Sequence, residues 1–152
     1  MTTTSIDSKK RDPQVLEART PGARRAQPGE SVFDFKSLDQ IPGGPAYSPV
    51  FGGCVEGDRM IVALMRAPAG KMGDPHLHAN EQWIYILEGN FDFRTNGKTH
   101  IVGPGGLIYV PAESVHQAGA TAEGDVLFFT CKDTTGSLHG MRADAENRLY
   151  GK

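Results

Sequence analysis

The sequence predicts an all-β protein of one domain, folded as a closed or two-sheet antiparallel barrel. Three observations carry this. Short runs of β-branched and aromatic residues recur between residues 32 and 131, with turn residues between them and no helical period intervening. The chain's 19 glycines and 10 prolines favour many turns over long helices. Asn96-Gly97, the dipeptide that suits a type I′ turn, divides two five-residue strand patterns and marks a hairpin. A length of 152 residues supplies one sizeable core and not two.

A shift in composition near residue 30 divides the chain into an arm (1–30), a barrel (31–135) and an extension (136–152). The arm is rich in Thr, Ser, Lys, Arg, Pro and Gly and has no apolar period beyond Val15-Leu16. It is expected to be a flexible, solvated tail, with Arg19, Arg24 and Arg25 able to touch a partner subunit or an acidic surface.

In the barrel, residues 32–35 alternate apolar and polar, 47–51 are extended, and 60–66 read as a well-buried strand of Ile, Val, Leu and Met. Residues 83–88 follow as an aromatic and β-branched strand turned by Gly89-Asn90. The two-residue turn of the hairpin then pairs Thr95 with Lys98, Phe93 with His100 and Phe91 with Val102. Phe91, Phe93, His100 and Val102 therefore share a face, and His100 is expected to look inward. It either packs against Phe93 or lines a pocket. Gly103-Pro104-Gly105-Gly106 is a tight turn, 107–110 a strand ending at Pro111, and 126–131 the last strong strand. A short helical piece is expected over 143–148.

A net charge of −2 offers no clustered cation for nucleic acid, so a small molecule is the expected partner. No apolar run approaches the ~20 residues that cross a bilayer, and the polar N-terminal stretch lacks the hydrophobic segment of a secretory signal; a cytoplasmic location without membrane contact is expected. Two cysteines, Cys54 and Cys131, are too few for a disulfide framework and read as reduced thiols in apolar surroundings.

Chemistry concentrates in Pro75-His76-Leu77-His78-Ala79-Asn80-Glu81-Gln82 and in Pro111-Ala112-Glu113-Ser114-Val115-His116. Strand period two sends His76, His78 and Gln82 to one face and Leu77 and Glu81 to the other. Three imidazoles and a carbonyl oxygen then converge on one cation. Glu81 is the alternative fourth donor, reachable only through a bulge.

The run Gly70-x5-His76-x-His78-x3-Gln82-x6-Gly89 resembles the first cupin motif, with Gln82 where that motif has Glu, and Gly105-x5-Pro111-x4-His116 resembles the second. The resemblance covers residues 31–135. It implies a cupin-type double-stranded β-helix, a small jelly-roll barrel, holding a divalent metal through His76, His78 and His116 with Gln82 at the fourth position. Two other departures, Glu113 at a position usually Gly and Ala120 where Asn is frequent, concern loop geometry. The resemblance also implies a homodimer formed by N-terminal strand pairing, which would use residues 32–35 as an edge partner.

The mixed N and O donor set suits a transition metal, with Fe favoured and Ni, Mn, Zn or Cu possible. Four neutral donors leave the ion its full double charge, which makes the site more electrophilic and more welcoming to an anion. The expected function is a metalloenzyme acting on a small oxygenated organic substrate, first as a dioxygenase. A non-redox cyclase, isomerase or lyase is the alternative, and a ligand-binding or sensing cupin is the rival of another class. The candidate catalytic residues are Glu113, as general base or gate, Tyr85 and the inward His100; Tyr109 is a further candidate. Trp83, Ile84, Ile86, Phe91, Phe93 and Met72 suggest a partly apolar ligand with one oxygenated end.

Overall fold

The computed structural model of the chain describes residues 19–143. Twelve strands and one short 3-10 turn (Phe35–Ser37) make up its regular structure, and no α-helix occurs among the described residues. The strands are β1 (Arg24–Arg25), β2 (Ile41–Pro42), β3 (Phe51–Glu56), β4 (Met60–Ala67), β5 (His76–Leu77), β6 (Gln82–Glu88), β7 (Phe91–Thr95), β8 (Lys98–Val102), β9 (Leu107–Val110), β10 (His116–Ala120), β11 (Val126–Asp133) and β12 (Met141–Arg142).

They form two sheets in a jelly-roll arrangement. One runs β1-β3-β4-β11-β6-β9, with β2 added to β3; the other runs β12-β5-β10-β7-β8. Neighbours far apart in sequence, such as β4 and β11, pair over eight residues, as expected of a barrel that must be closed by long-range contacts. Both strands alternate buried and half-exposed residues, so period two in the sequence becomes a two-faced sheet. Ile61, Met65, Ile84, Ile86, Phe91 and Phe128 fill the space between the sheets. Phe91 and Phe128 meet across it with ring centroids 5.1 Å apart.

The expected hairpin is present with its expected pairs, Phe91 with Val102, Phe93 with His100 and Thr95 with Lys98. Asn96 and Gly97 both take positive φ, 51° and 72°, as a type I′ turn requires. The strands expected at 60–66, 83–88, 107–110 and 126–131 are also present, each extended by at most two residues.

Residues 32–35 are not a strand. Asp34 instead accepts a hydrogen bond from the Lys36 N–H and caps the 3-10 turn, an option that short acidic side chains offer the backbone in competition with a sheet. Phe35 packs edge-on against Phe129 outside the barrel, which absorbs the apolar residue that sequence alternation had assigned to a strand. Part of the expected arm is tied down: β1 pairs in parallel with β3, and the Thr20 N–H donates to the buried carboxylate of Glu56 at 2.7 Å. The extension likewise contributes β12, which pairs with β5. The helical piece expected over 143–148 lies, beyond Ala143, outside the described residues. Among the described residues no helix is long and apolar enough to cross a membrane.

Candidate metal centre

The two motifs meet because of sheet register. His76 on β5 and His116 on β10 are directly opposed in an antiparallel pair, so forty residues of separation end with both side chains on one face. Their ring centroids are 4.2 Å apart; His78 stands 4.9 Å from His116 and 6.3 Å from His76. Gln82 opens β6 and turns inward, nearly fully buried, while Glu81 is exposed. Among the described residues no group of three or more His, Cys, Asp or Glu side chains is drawn together closely enough to hold a metal ion.

Each imidazole is aimed by a backbone carbonyl. Nδ1 of His76 lies 2.9 Å from the Asp74 carbonyl, Nδ1 of His78 2.9 Å from that of Asn80, and Nδ1 of His116 2.9 Å from that of Ser114. A carbonyl only accepts, so each Nδ1 carries the proton and each Nε2 presents a lone pair. Burial opposes a second proton on any of the rings. Desolvation, with the charges of His116 and Lys132 nearby, pushes His76 down to about 3. It pushes His78 down to about 2, where Lys132 is the main neighbouring charge, and His116 down to about 4.

Gln82 is oriented just as firmly. The Thr130 hydroxyl donates to the Trp83 carbonyl at 2.9 Å, which leaves its oxygen to accept from Gln82 Nε2 at 2.8 Å. Gln82 Oε1 is thereby turned onto His78 Nε2, 2.9 Å away. With His78 neutral and its proton on Nδ1, this contact sets acceptor against acceptor. The other tautomer only moves the conflict to the Asn80 carbonyl. A cation shared by both lone pairs would resolve it, and His76, His78, His116 and Gln82 are donors of the kinds a divalent transition ion takes.

Three neighbours complete the site, and sequence reasoning passed over all of them. Tyr47 stacks on His76, centroids 4.0 Å apart and planes 18° from parallel, and its hydroxyl accepts from the Gly140 N–H at 2.7 Å. Asn80, fully buried, spreads its amide over the carbonyls of Asp133, Gly136 and Ser137 and so clamps that loop beside His78. Its Oδ1 has no partner among the described residues. Lys132 points inward beside Gln82, its β-sheet partner, and donates to the Leu138 carbonyl at 2.6 Å. Desolvation lowers Lys132 to about 7. No motif marks Tyr47 or Lys132; the direction of Lys132 follows only from register, and that of Tyr47 from its stacking on His76.

An open-mouthed cavity of about 60 Å³ adjoins the cluster. His76, His116, Gln82 and Lys132 form its polar wall, and Val50, Ile84, Phe91 and Phe128 are among its apolar lining. Of the expected lining, Ile84 and Phe91 are in place, Ile86 lies in the core, and Phe93 is buried with its ring 6.0 Å from that of His116. Met72 bridges to Gly119 away from the cavity wall. Trp83 is on the outer face, 44% exposed, because period two puts it opposite Ile84.

The three expected catalytic residues are not brought to the cavity. Tyr85 shares the outer face with Trp83. His100 pairs with Phe93 as expected yet is exposed, because β8 is an edge strand with no layer over its side of the hairpin. Glu113 is exposed in the loop before β10, where its backbone takes φ 62° and its N–H donates to the His78 carbonyl at 2.8 Å. That left-handed φ explains why Gly is the easier residue there.

A jelly-roll barrel with three imidazoles on one inner wall defines a β-barrel of the double-stranded helix class. The Cupin domain profile matches residues 63–131 and, with the jelly-roll fold, supports membership of the cupin superfamily. No curated protein sequence matches it significantly. Among solved structures, KdgF from Halomonas sp. is similar at 22% identity and TM-score 0.59, over 69% of this chain and 94% of that one. The polyketide cyclase RemF from Streptomyces resistomycificus is similar at 20% identity and TM-score 0.61, over 69% and 80%. The Schizosaccharomyces pombe Cnp3 cupin domain follows at 15% identity and TM-score 0.57, over 79% and 80%. These likenesses are of the fold.

Proposed function

We propose that this cupin is a metal-dependent enzyme acting on a small, partly apolar organic substrate through its oxygenated end, by non-redox proton-transfer chemistry such as cyclisation, isomerisation or elimination. The observation that carries the reading is the lone-pair conflict between His78 Nε2 and Gln82 Oε1 inside a cluster of three neutral imidazoles at a cavity wall. A divalent transition ion held there supplies Lewis acidity to a substrate oxygen and lowers the pKa of the adjacent proton. The chain's own residues hold the donor set by carbonyl and Thr130 contacts, exclude water with Val50, Phe91 and Phe128, and leave one side open for substrate.

The absence of a carboxylate among the four proposed ligands favours this over dioxygenation, since oxygen-activating iron sites commonly include one. Dioxygenation with Fe is the second reading, supported by imidazole donors that also suit iron. The fold likeness to a polyketide cyclase puts cyclisation among the first reactions to try.

Metal analysis of protein purified without chelator, followed by a panel of β-diketones, catechols and enols in an oxygen electrode, tests the proposal. About one transition ion per chain and rearranged product without oxygen uptake are expected. Stoichiometric oxygen uptake moves the assignment to a dioxygenase, binding without turnover moves it to a sensing cupin, and no ion taken up by reconstituted protein overturns it.

The same reading includes a homodimer, formed not by residues 32–35 but by the outer face of the larger sheet. Trp83, Tyr85, Leu87, Leu107 and Tyr109 lie there exposed on adjacent strands β6 and β9, a contiguous apolar patch of the kind that marks an interface. Sedimentation of wild type against Trp83→Ser/Leu107→Ser checks it, and an unchanged mass removes the patch from the assembly.

A further inference from the structure

We propose that Lys132 is the anion-holding residue of the cavity, receiving the carboxylate or enolate oxygen of the substrate beside the histidine cluster. The inference rests on the reading of this cavity as a substrate site and narrows its substrate to an anion.

Lys132 is placed by three neighbours. It pairs with Gln82 on one side and Ile61 on the other, and all three side chains are buried in one inward row across β4, β11 and β6. Its Nζ is buried and reaches the cavity wall, and the Leu138 carbonyl is its one hydrogen-bond acceptor among the described residues. An ammonium has three donors, so two are left to a ligand.

Charge gives the second argument. Among the described residues no Asp or Glu lines the cavity. The buried Glu56 pairs with Ile61 from β3, one strand further along the row from Lys132, and its Oε1 is taken by the Thr20 N–H. Asp133 follows Lys132 in β11, where alternation turns it to the other face, and it accepts from the Glu81 and Thr135 N–H groups. A divalent ion on four neutral donors beside an ammonium puts like charges in one apolar space, where each opposes the other. An anion between them relieves both. A neutral ligand of the same shape does not.

Butanoate and its neutral isostere butanamide, titrated into chelator-treated and metal-loaded full-length protein, test the proposal. Wild type is expected to prefer butanoate by about tenfold or more, the scale of a charge-assisted hydrogen bond. Lys132→Met, close in shape, is expected to lose that preference while keeping its affinity for butanamide and binding Co²⁺ at least as tightly as wild type. Equal butanoate affinity in wild type and Lys132→Met overturns the proposal, as does a wild type that does not discriminate.

Should Lys132→Met fail to fold, wild-type protein labelled at lysine Cε decides. Among the described residues Lys36, Lys71 and Lys98 are exposed and Lys132 is buried, so a signal shielded from a soluble paramagnetic agent is assigned to Lys132. That signal must shift with butanoate and stay still with butanamide; no shift overturns the proposal. Lys132-dependent butanoate binding in a protein that takes up no metal would support this inference and remove the metal reading beneath it.

Discussion

Replacing Thr130 with Val isolates the orientation of Gln82 from everything else in the site. The change keeps the side-chain shape and removes one hydroxyl, which accepts from Gln82 Nε2 at 2.8 Å and donates to the Trp83 carbonyl at 2.9 Å. In wild type, reversing the carboxamide would make the Thr130 hydroxyl turn its hydrogen to Oε1 and give up the Trp83 carbonyl, at a cost of about 1–3 kcal/mol. Without the hydroxyl that cost disappears. The reversed amide gains instead, because its NH₂ then donates to the lone pair on His78 Nε2 and ends the conflict at 2.9 Å. If the reversed form then lies about 1.5 kcal/mol below the competent one, the competent orientation is roughly a tenth populated and apparent metal affinity falls about tenfold. Titration of Co²⁺ or Zn²⁺ against a chromogenic chelator measures this directly. Thr130→Ser keeps the oxygen and is expected to restore affinity. A Thr130→Val protein that binds as wild type does, or a Thr130→Ser protein as weak as Thr130→Val, refutes the orientation argument.

Acid should destabilise the metal-free protein early. The three histidines have folded-state values near 3, 2 and 4, below the unfolded 6.5, so the unfolded chain binds more protons once pH drops under that value and stability falls with it. Each ring contributes a slope of up to about 1.4 kcal/mol per pH unit, steepest between pH 6 and 4, and urea melts across that window should lose most of it when the rings are replaced by Gln. Gln82→Glu should tighten Co²⁺ at least tenfold in the chelator assay by adding a negative donor, and it should weaken butanoate because the new carboxylate faces Lys132 across the β6–β11 pair. Gly52→Ala should cost about 3 kcal/mol or more in a denaturant melt, since its added Cβ would lie 1.9 Å from the Leu64 carbonyl oxygen in the next strand, with no flexible side chain to yield.

What was legible in the sequence was local or strictly periodic. The hairpin could be written down pair by pair because Asn96-Gly97 fixes its own register. The parity of His76, His78 and Gln82 needed only one strand. The errors have a common source, which is that a strand's two faces can be told apart without knowing which face another layer will cover. Trp83 and Ile84 were both assigned to the pocket although adjacent strand residues cannot share a face, and Trp83 is the outer one. His100 does share a face with Phe93, yet the edge position of β8 leaves it in water. Lys132 and Tyr47 were missed for the reverse reason: a lysine and a tyrosine in apolar surroundings carry no local mark, and only pairing with β4 and β6, or stacking on His76, shows them turned toward the histidines.

The choice of Gln at position 82 and of Lys at position 132 is best understood as one choice. The two residues are cross-strand partners buried in the same row, so a carboxylate at 82 would cancel one unit of the positive charge that Lys132 and the proposed ion bring together and weaken the cavity's demand for an anion. The carboxamide keeps the oxygen donor and withholds the charge. The deficit is then carried by the apolar cavity itself, where low polarity makes it large, and it is relieved only when a negatively charged ligand enters. Affinity for metal and affinity for substrate are in that sense traded through a single side chain. On the proposed reading, the Thr130 hydroxyl that holds its oxygen toward His78 serves substrate selection as much as ligand geometry.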